Sequence, residues 1–82
     1  MKSELETIPG VGKNMAAHLN ALGVYTLNDL KGADPEAMYE RECLLQGSQV
    51  DRCVLYVYRL AVAYAEDRIK DPEQLKWWNW KD

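Results

Sequence analysis

A short stretch near the start of the chain, Ile8-Pro9-Gly10-Val11-Gly12, constrains most strongly what its 82 residues can form. We call this stretch the glycine turn. Its two glycines lack a Cβ, so the backbone can turn sharply and come close to another molecule. Val11 lies between the glycines, and we expect it to point inward and fix the turn to a core. The pattern predicts a tight turn between a short leading helix and a longer following one.

The start of the helix that follows the glycine turn is a candidate anion site. The backbone amides of Gly12, Lys13 and Asn14 would be free at a helix N-terminus, where phosphate binds favourably. One interpretation is therefore a backbone clamp for phosphate. The other is a packed turn between two helices that binds nothing.

Helix boundaries are well marked along the rest of the chain. Asp34-Pro35-Glu36 and Asp71-Pro72-Glu73 each have the order of an N-cap, a first-turn proline and an acidic first turn. Gly23, Gly32 and Gly47 occupy positions where a left-handed residue commonly ends a helix. No stretch alternates apolar and polar residues in the way that a half-buried strand does. The sequence predicts an all-α fold.

Six helical segments are predicted, and the fifth is the longest and most apolar. They cover residues 3–7, 13–22, 27–31, 35–45, 49–70, and 72 onward into the tryptophans. The fifth segment is apolar nearly all round from Cys53 to Ala65, which is typical of a helix at the centre of a domain or shared with a partner chain. We expect five to six helices in one domain, residues 1–82, with the shorter ones packed against this segment.

Composition and charge limit the class of protein. The net charge is −3 and charged residues make up 28%, which argues against disorder and against a broadly basic nucleic-acid surface. The N-terminus lacks the apolar region of a signal peptide. The apolar run from Cys53 to Ala65 is shorter than the ~20 residues that span a bilayer. We expect a cytoplasmic protein with reduced thiols and no membrane association.

Two cysteines, Cys43 and Cys53, flank Gly47. His18 is the only other soft ligand, so the set is too small for a zinc site, which needs about four ligands. We interpret both cysteines as small buried apolar residues at helix ends, with a redox pair as the alternative. No nucleophile has a recognisable set of partners. We therefore expect no enzymatic activity, no metal and no cofactor.

Arg59 lies within the most apolar part of the chain, where its charge must be paired, stacked on an aromatic ring or exposed. A salt bridge to an acid of the fourth helix, such as Glu40 or Glu42, is one interpretation, and contact with a partner or a phosphate is the other. The three tryptophans of residues 77–80 cannot all face one way. We expect one or two to hold the C-terminal segment on the core and another to stay exposed, as in many contact surfaces.

The stretch from Leu5 to Leu19 resembles the helix-hairpin-helix motif of DNA repair and recombination proteins. The resemblance rests on the hydrophobic-Pro-Gly-hydrophobic-Gly core, with Ala16 four residues beyond Gly12. In such proteins the hairpin amides and the start of the second helix bind backbone phosphates without reading bases. By position, the implied phosphate contacts are Gly10, Val11, Gly12, Lys13 and Asn14.

The whole chain is similar to the small bacterial pathogenicity-locus family, some of whose members are labelled mitomycin-resistance proteins. The similarity is carried by Asp34-Pro35-Glu36, Cys43 with Gln46-Gly47, Asp51-Arg52-Cys53-Val54-Leu55-Tyr56-Val57-Tyr58-Arg59, and Trp77-Trp78-Asn79-Trp80-Lys81. It implies a SAM-like or helix-hairpin-helix fold and suggests a bacterial cytoplasmic origin.

Two functions remain open from the sequence. The first is weak, sequence-independent DNA binding through the glycine turn, related to DNA repair or stress, with Arg52 and Arg59 as candidate secondary contacts. The second is a protein-interaction or adaptor module, including a homodimer, that uses the fifth helix or the tryptophans and binds no nucleic acid. The balanced charges of residues 1–33 and the lack of a second Gly-hydrophobic-Gly core in residues 45–50 favour the second. The motif core favours the first.

Overall fold

The computed structural model describes residues 4–80. Its regular structure consists of four α-helices and three short 3₁₀ turns, and no strand occurs within this range. The helices are α1 (Lys13–Ala21), α2 (Leu27–Leu30), α3 (Pro35–Gln46) and α4 (Cys53–Ala65), and the 3₁₀ turns are Glu4–Thr7, Pro72–Leu75 and Trp77–Trp80. The all-α prediction is confirmed.

The predicted count of five to six helices is wrong, because the first and sixth segments form only 3₁₀ turns. The sixth is interrupted at Lys76, whose backbone is extended. Side chains beyond the interruption donate hydrogen bonds to carbonyls that would accept backbone hydrogen bonds in a continuous helix. The Asn79 amide donates to the Glu73 carbonyl at 2.8 Å, and the Trp80 indole N–H donates to the Gln74 carbonyl at 2.6 Å.

The predicted bounds of the long apolar helix are also wrong, since α4 has only 13 residues, Cys53–Ala65. It begins where the Asp51 carboxylate accepts a hydrogen bond from the Cys53 amide at 3.0 Å. It ends because Asp67 adopts a left-handed conformation, with φ of 58°. Glycine usually fills such a position. The sequence carries an aspartate there, so the pattern extended the helix too far.

Helix α4 lies at the centre of the fold and packs against α2, α3 and the 3₁₀ turn Trp77–Trp80. Eight of its 13 residues are buried. The buried apolar residues along this helix are Leu55, Val57, Tyr58, Leu60, Ala61, Val62, Ala63 and Ala65. Most of its apolar surface is therefore covered by the chain itself.

The helix caps predicted at Asp34 and Asp71 form. The carboxylates of Asp34 and Asp71 accept hydrogen bonds from the amides two residues later, at 3.0 and 2.9 Å. Gly47 ends α3 with φ of 72°. Gly23 and Gly32 also have positive φ, 90° and 77°. Local signals thus fix the ends of the shorter elements.

One long-range cap makes stability depend on pH. The Glu66 carboxylate accepts a hydrogen bond from the Gly32 amide at 2.8 Å and pairs with Arg68 at 2.8 Å. These contacts lower the pKa of Glu66 below its ordinary value of 4.5. The unfolded chain therefore takes up a proton at a higher pH than the folded chain does. This contribution to stability is complete above pH 4.5 and is lost as pH falls through the lower folded pKa.

We expect the unfolding temperature to decrease as the pH is lowered from 5 to 3. The Glu66→Gln variant should lose part of this pH dependence. Thermal unfolding followed by circular dichroism checks both. Part of the dependence is expected to persist in the variant, because amide hydrogen bonds also lower the pKa values of Asp29 and Asp51. An unchanged pH profile for Glu66→Gln would contradict this assignment.

Candidate functional site

The glycine turn is fixed to the core by its two aliphatic residues. Ile8 and Val11 are both buried, and the Val11 amide donates to the Ile8 carbonyl at 3.0 Å. Gly10 lies between them with φ of 86°, a conformation that other residues rarely adopt. Val11 points inward, as predicted from its position between the glycines. The turn is therefore held in one conformation by burial and by backbone geometry.

Gly10 is approached closely by the chain's own C-terminal segment. A Cβ at Gly10 would lie 3.2 Å from Cδ1 of Trp77 and 3.6 Å from its Cβ. The close approach that this glycine permits is therefore to Trp77, 67 positions later in the chain. The sequence placed Gly10 among the phosphate contacts, whereas the structure also gives it a packing role.

Gly12 differs from Gly10 both in its backbone conformation and in its neighbours. Its φ of −98° is accessible to any residue, and a Cβ built there would meet no atom of residues 4–80 within 4 Å. Neither backbone conformation nor packing within the described residues requires glycine at this position. Gly12 therefore leaves open space in front of the first turn of α1.

The first amides of α1 face this open space without acceptors. Gly12 is the N-cap residue and provides no side-chain cap. Among residues 4–80, the amides of Gly12, Lys13 and Asn14 have no hydrogen-bond acceptor. All three residues are exposed, and Lys13 has no ion-pair partner within the same range. Of the five predicted phosphate contacts, Val11 is buried. The other four, Gly10, Gly12, Lys13 and Asn14, present backbone or charge to solvent.

Arg59 has partners within the protein. One guanidinium nitrogen donates to the Trp80 carbonyl at 2.7 Å and another pairs with the Glu36 carboxylate at 2.6 Å. The guanidinium also lies 5.7 Å from the centre of the Tyr56 ring. The acidic partner of Arg59 lies on α3, the helix predicted to provide it, but it is Glu36 rather than Glu40 or Glu42. Arg59 therefore holds the C-terminal segment against α3 and α4.

Arg52 lies at the start of α4, far along the chain from the glycine turn, and is exposed. Its charge acts on Tyr39: burial raises the pKa of Tyr39, and the positive charge of Arg52 partly opposes that shift. The neighbouring loop is closed by the Tyr39 hydroxyl, which donates to the Val50 carbonyl. Arg52 therefore lies beside the loop between α3 and α4.

A buried polar cluster behind α1 was missed by sequence reasoning. His18 Nδ1 contacts Oε1 of Glu42, whose exposure is only 1%. Gln46 donates to the same oxygen at 3.1 Å. Near this cluster, burial and the charge of Glu42 raise the pKa of Tyr58, whose buried hydroxyl has no hydrogen-bond partner in residues 4–80. Glu42 lies four residues after the buried Met38, which is the signal that places it on the inner face of α3.

Both cysteines are free and half-buried. Cys43 Sγ accepts a hydrogen bond from the Val50 amide at 3.4 Å. Burial and the neighbouring Asp51 raise the pKa of the Cys53 thiol. Within residues 4–80, no three histidine, cysteine or acidic side chains are grouped as metal ligands would be.

The end of α3 carries a second exposed feature. Leu44 and Leu45 are 81% and 60% exposed. Leu44 borders a surface groove of about 660 Å³ between α3 and the following loop. The groove is lined by Tyr39, Glu40, Cys43, Leu44, Gly47, Ser48 and Gln49. This surface is separate in sequence from the glycine turn.

Across residues 4–80, no helix is both long enough and apolar enough to cross a membrane.

The mitomycin resistance protein McrB of Streptomyces lavendulae is 31% identical over 78 residues, which cover 95% of this chain and 70% of that protein. No solved structure matches the chain. The model of the pathogenicity-locus family (Cdd1) matches residues 1–82. The chain therefore belongs to the Cdd1 pathogenicity-locus family.

Proposed function

We propose that this protein is a SAM-like helix-hairpin-helix domain that binds the phosphate backbone of DNA through the glycine turn, without reading base sequence. The observation that carries the proposal is Gly12, a glycine that neither its backbone conformation nor packing among residues 4–80 requires. A side chain at this position would fill the space through which a phosphate reaches the first amides of α1. We place this activity in the bacterial cytoplasm, in a repair or stress response. The name of the resistance-protein relative supports a role in such a response.

Open amides and one lysine provide the attraction. The amides of Lys13 and Asn14 are directed along the axis of α1, whose N-terminus carries about half a positive charge. The Lys13 ammonium adds a full charge beside them. Hydrogen bonds from charged or dipolar donors to phosphate oxygens are stronger than neutral ones. The arrangement suits an anion with several oxygens.

The overall charge predicts that this binding is weak and sensitive to salt. The chain has a net charge of −3, so it lacks the broad basic surface of a tight duplex binder. Each neutralised phosphate contributes roughly −0.9 to the slope of log affinity against log salt on duplex DNA. With Lys13 as the only lysine at the turn, we expect a slope of small magnitude.

Reversing the charge of Lys13 is expected to weaken DNA binding in a way that reversal of a second exposed lysine does not. Lys13→Glu removes one phosphate contact, so the magnitude of the salt slope should fall by about one. Lys31→Glu makes the same change in net charge in the turn after α2 and serves as the matched control. Fluorescence anisotropy of labelled DNA at several salt concentrations measures both variants.

Equal losses in the two lysine variants would mean that net charge alone attracts DNA, and the proposed contact would then be wrong. No measurable binding by the unmodified protein at low salt would also contradict the proposal.

A protein-interaction module is the second candidate, and the exposed Leu44 and Leu45 beside the α3 groove favour it. Exposed apolar side chains of this size are typical of contact surfaces when they lie together. Analytical ultracentrifugation distinguishes this candidate. A dimer that Leu44→Glu converts to a monomer, combined with no binding of DNA, would favour it over the first.

A further inference from the structure

We propose that the exposed indole of Trp78 is a stacking platform for an unpaired base, so that the protein prefers single-stranded nucleic acid to duplex. This inference rests on the proposed phosphate contact at the glycine turn. It adds a site beside that contact and names the class of nucleic acid that both would bind together.

The position of Trp78 follows from two contacts. Trp77 packs against Gly10, with its Cδ1 3.2 Å from where a Cβ of that glycine would be. The Trp78 ring then packs edge-to-face on Trp77, with ring centres 5.6 Å apart and an angle of 87° between planes. One indole thus separates the exposed Trp78 from the glycine turn. A strand whose phosphate lies at the turn has a base within reach of Trp78.

The segment that presents Trp78 is held in place on both sides. Arg59 donates to the Trp80 carbonyl at 2.7 Å, and the Trp80 indole donates to the Gln74 carbonyl at 2.6 Å. The Asn79 side chain donates to the Glu73 carbonyl at 2.8 Å. These bonds fix the backbone before and after the ring. A ring that is fixed before binding loses less conformational entropy when a base stacks on it.

Trp78 differs from its two neighbouring tryptophans in exposure. Trp77 and Trp80 are less exposed and pack against the core, whereas half of the surface of Trp78 is open to solvent. In an edge-to-face contact, Trp77 covers at most one face of the Trp78 indole. Every nucleobase has a π-face, so a ring of this kind binds bases with little sequence preference.

Charge favours the single strand as well. Duplex affinity depends mainly on cations that neutralise phosphates, and the chain has a net charge of −3. Stacking does not require such cations, and duplex bases are already stacked on each other. A site with few cations and one open indole therefore gains more from an unpaired strand. The open amides of α1 and the Lys13 ammonium bind anions, so they favour a nucleic-acid strand, which carries phosphates, over an apolar protein surface.

The test compares the binding of a labelled thymidine oligonucleotide of about 12 nucleotides with that of a duplex of the same length. We expect the full chain to bind the single strand more tightly. Trp78→Ala should weaken single-strand binding roughly tenfold and leave duplex binding unchanged. Trp78→Phe, which retains a ring, should recover part of the loss. Tyr25→Ala is the matched control, since Tyr25 is 62% exposed and lies beyond the far end of α1.

The outcomes separate this inference from the proposed function. If Trp78→Ala binds the single strand as the unmodified protein does while Lys13→Glu binds it more weakly, stacking is wrong and the phosphate contact stands. If Lys13→Glu binds both nucleic acids unchanged, the phosphate contact is wrong. Preference for duplex, or equal losses in Trp78→Ala and Tyr25→Ala, would overturn the stacking site. Circular dichroism of each variant confirms that it is folded.

Discussion

Replacing His18 by leucine is expected to destabilise the protein by about 2 kcal/mol, because it leaves the buried Glu42 carboxylate without its imidazole partner. Glu42 is 1% exposed, so water cannot take the place of the lost contact. Gln46 continues to donate one hydrogen bond, which keeps the expected loss below that of a fully isolated charge. Urea denaturation followed by circular dichroism measures the free energy of unfolding.

A double variant isolates the polar interaction from packing. When Glu42 is also replaced by leucine, no carboxylate remains buried, and most of the lost stability should return. Recovery to within about 1 kcal/mol of the unmodified protein is the expected result. A His18→Leu variant as stable as the original would show that the pair does not support the packing of α1 on α3.

Replacing Gly10 by alanine is expected to have the second large effect, because two penalties act at one position. Its φ of 86° is unfavourable for any residue with a Cβ, at about 1–2 kcal/mol. The new Cβ would also lie 3.2 Å from Trp77, so the indole must shift. Overpacking of this kind costs a further ~1 kcal/mol. Thermal or urea unfolding measures the sum.

Gly23→Ala provides the matched control. Gly23 has nearly the same φ, 90°, and within the described part of the chain a Cβ there would meet nothing within 4 Å. The difference between the two variants therefore measures the contact with Trp77 alone. Equal destabilisation of Gly10→Ala and Gly23→Ala would mean that Trp77 does not pack against the glycine turn. That result would also remove the geometric basis for placing Trp78 beside it.

Local signals explain which parts of the fold were predictable. Asp34, Asp71 and Gly47 act on amides or carbonyls only a few residues away, so their positions in the sequence define the helix ends. The end of α4 depends instead on a left-handed Asp67. Aspartate adopts that conformation far less readily than glycine does, so residue type provides no stop signal at this position.

The candidate site was predictable only in part, because its two glycines differ in their surroundings. The sequence assigned Gly10 and Gly12 the same role. Gly10 proves to meet Trp77, and this contact joins residues 67 positions apart that no periodic pattern connects. The pairing of His18 with Glu42 is likewise a contact between two helices whose relative rotation is set by the core. Residue type and spacing define helix faces but not which faces meet.

The most direct test of the central claim is an NMR titration of the ¹⁵N-labelled protein with DNA at low salt. We expect the amide signals of Gly12, Lys13 and Asn14 to shift first and to saturate together, because these amides are the proposed phosphate ligands. The shifts should disappear in Gly12→Asp, whose carboxylate caps α1 and occupies the open space. Unchanged signals for residues 10–14 at high DNA concentration would contradict the account.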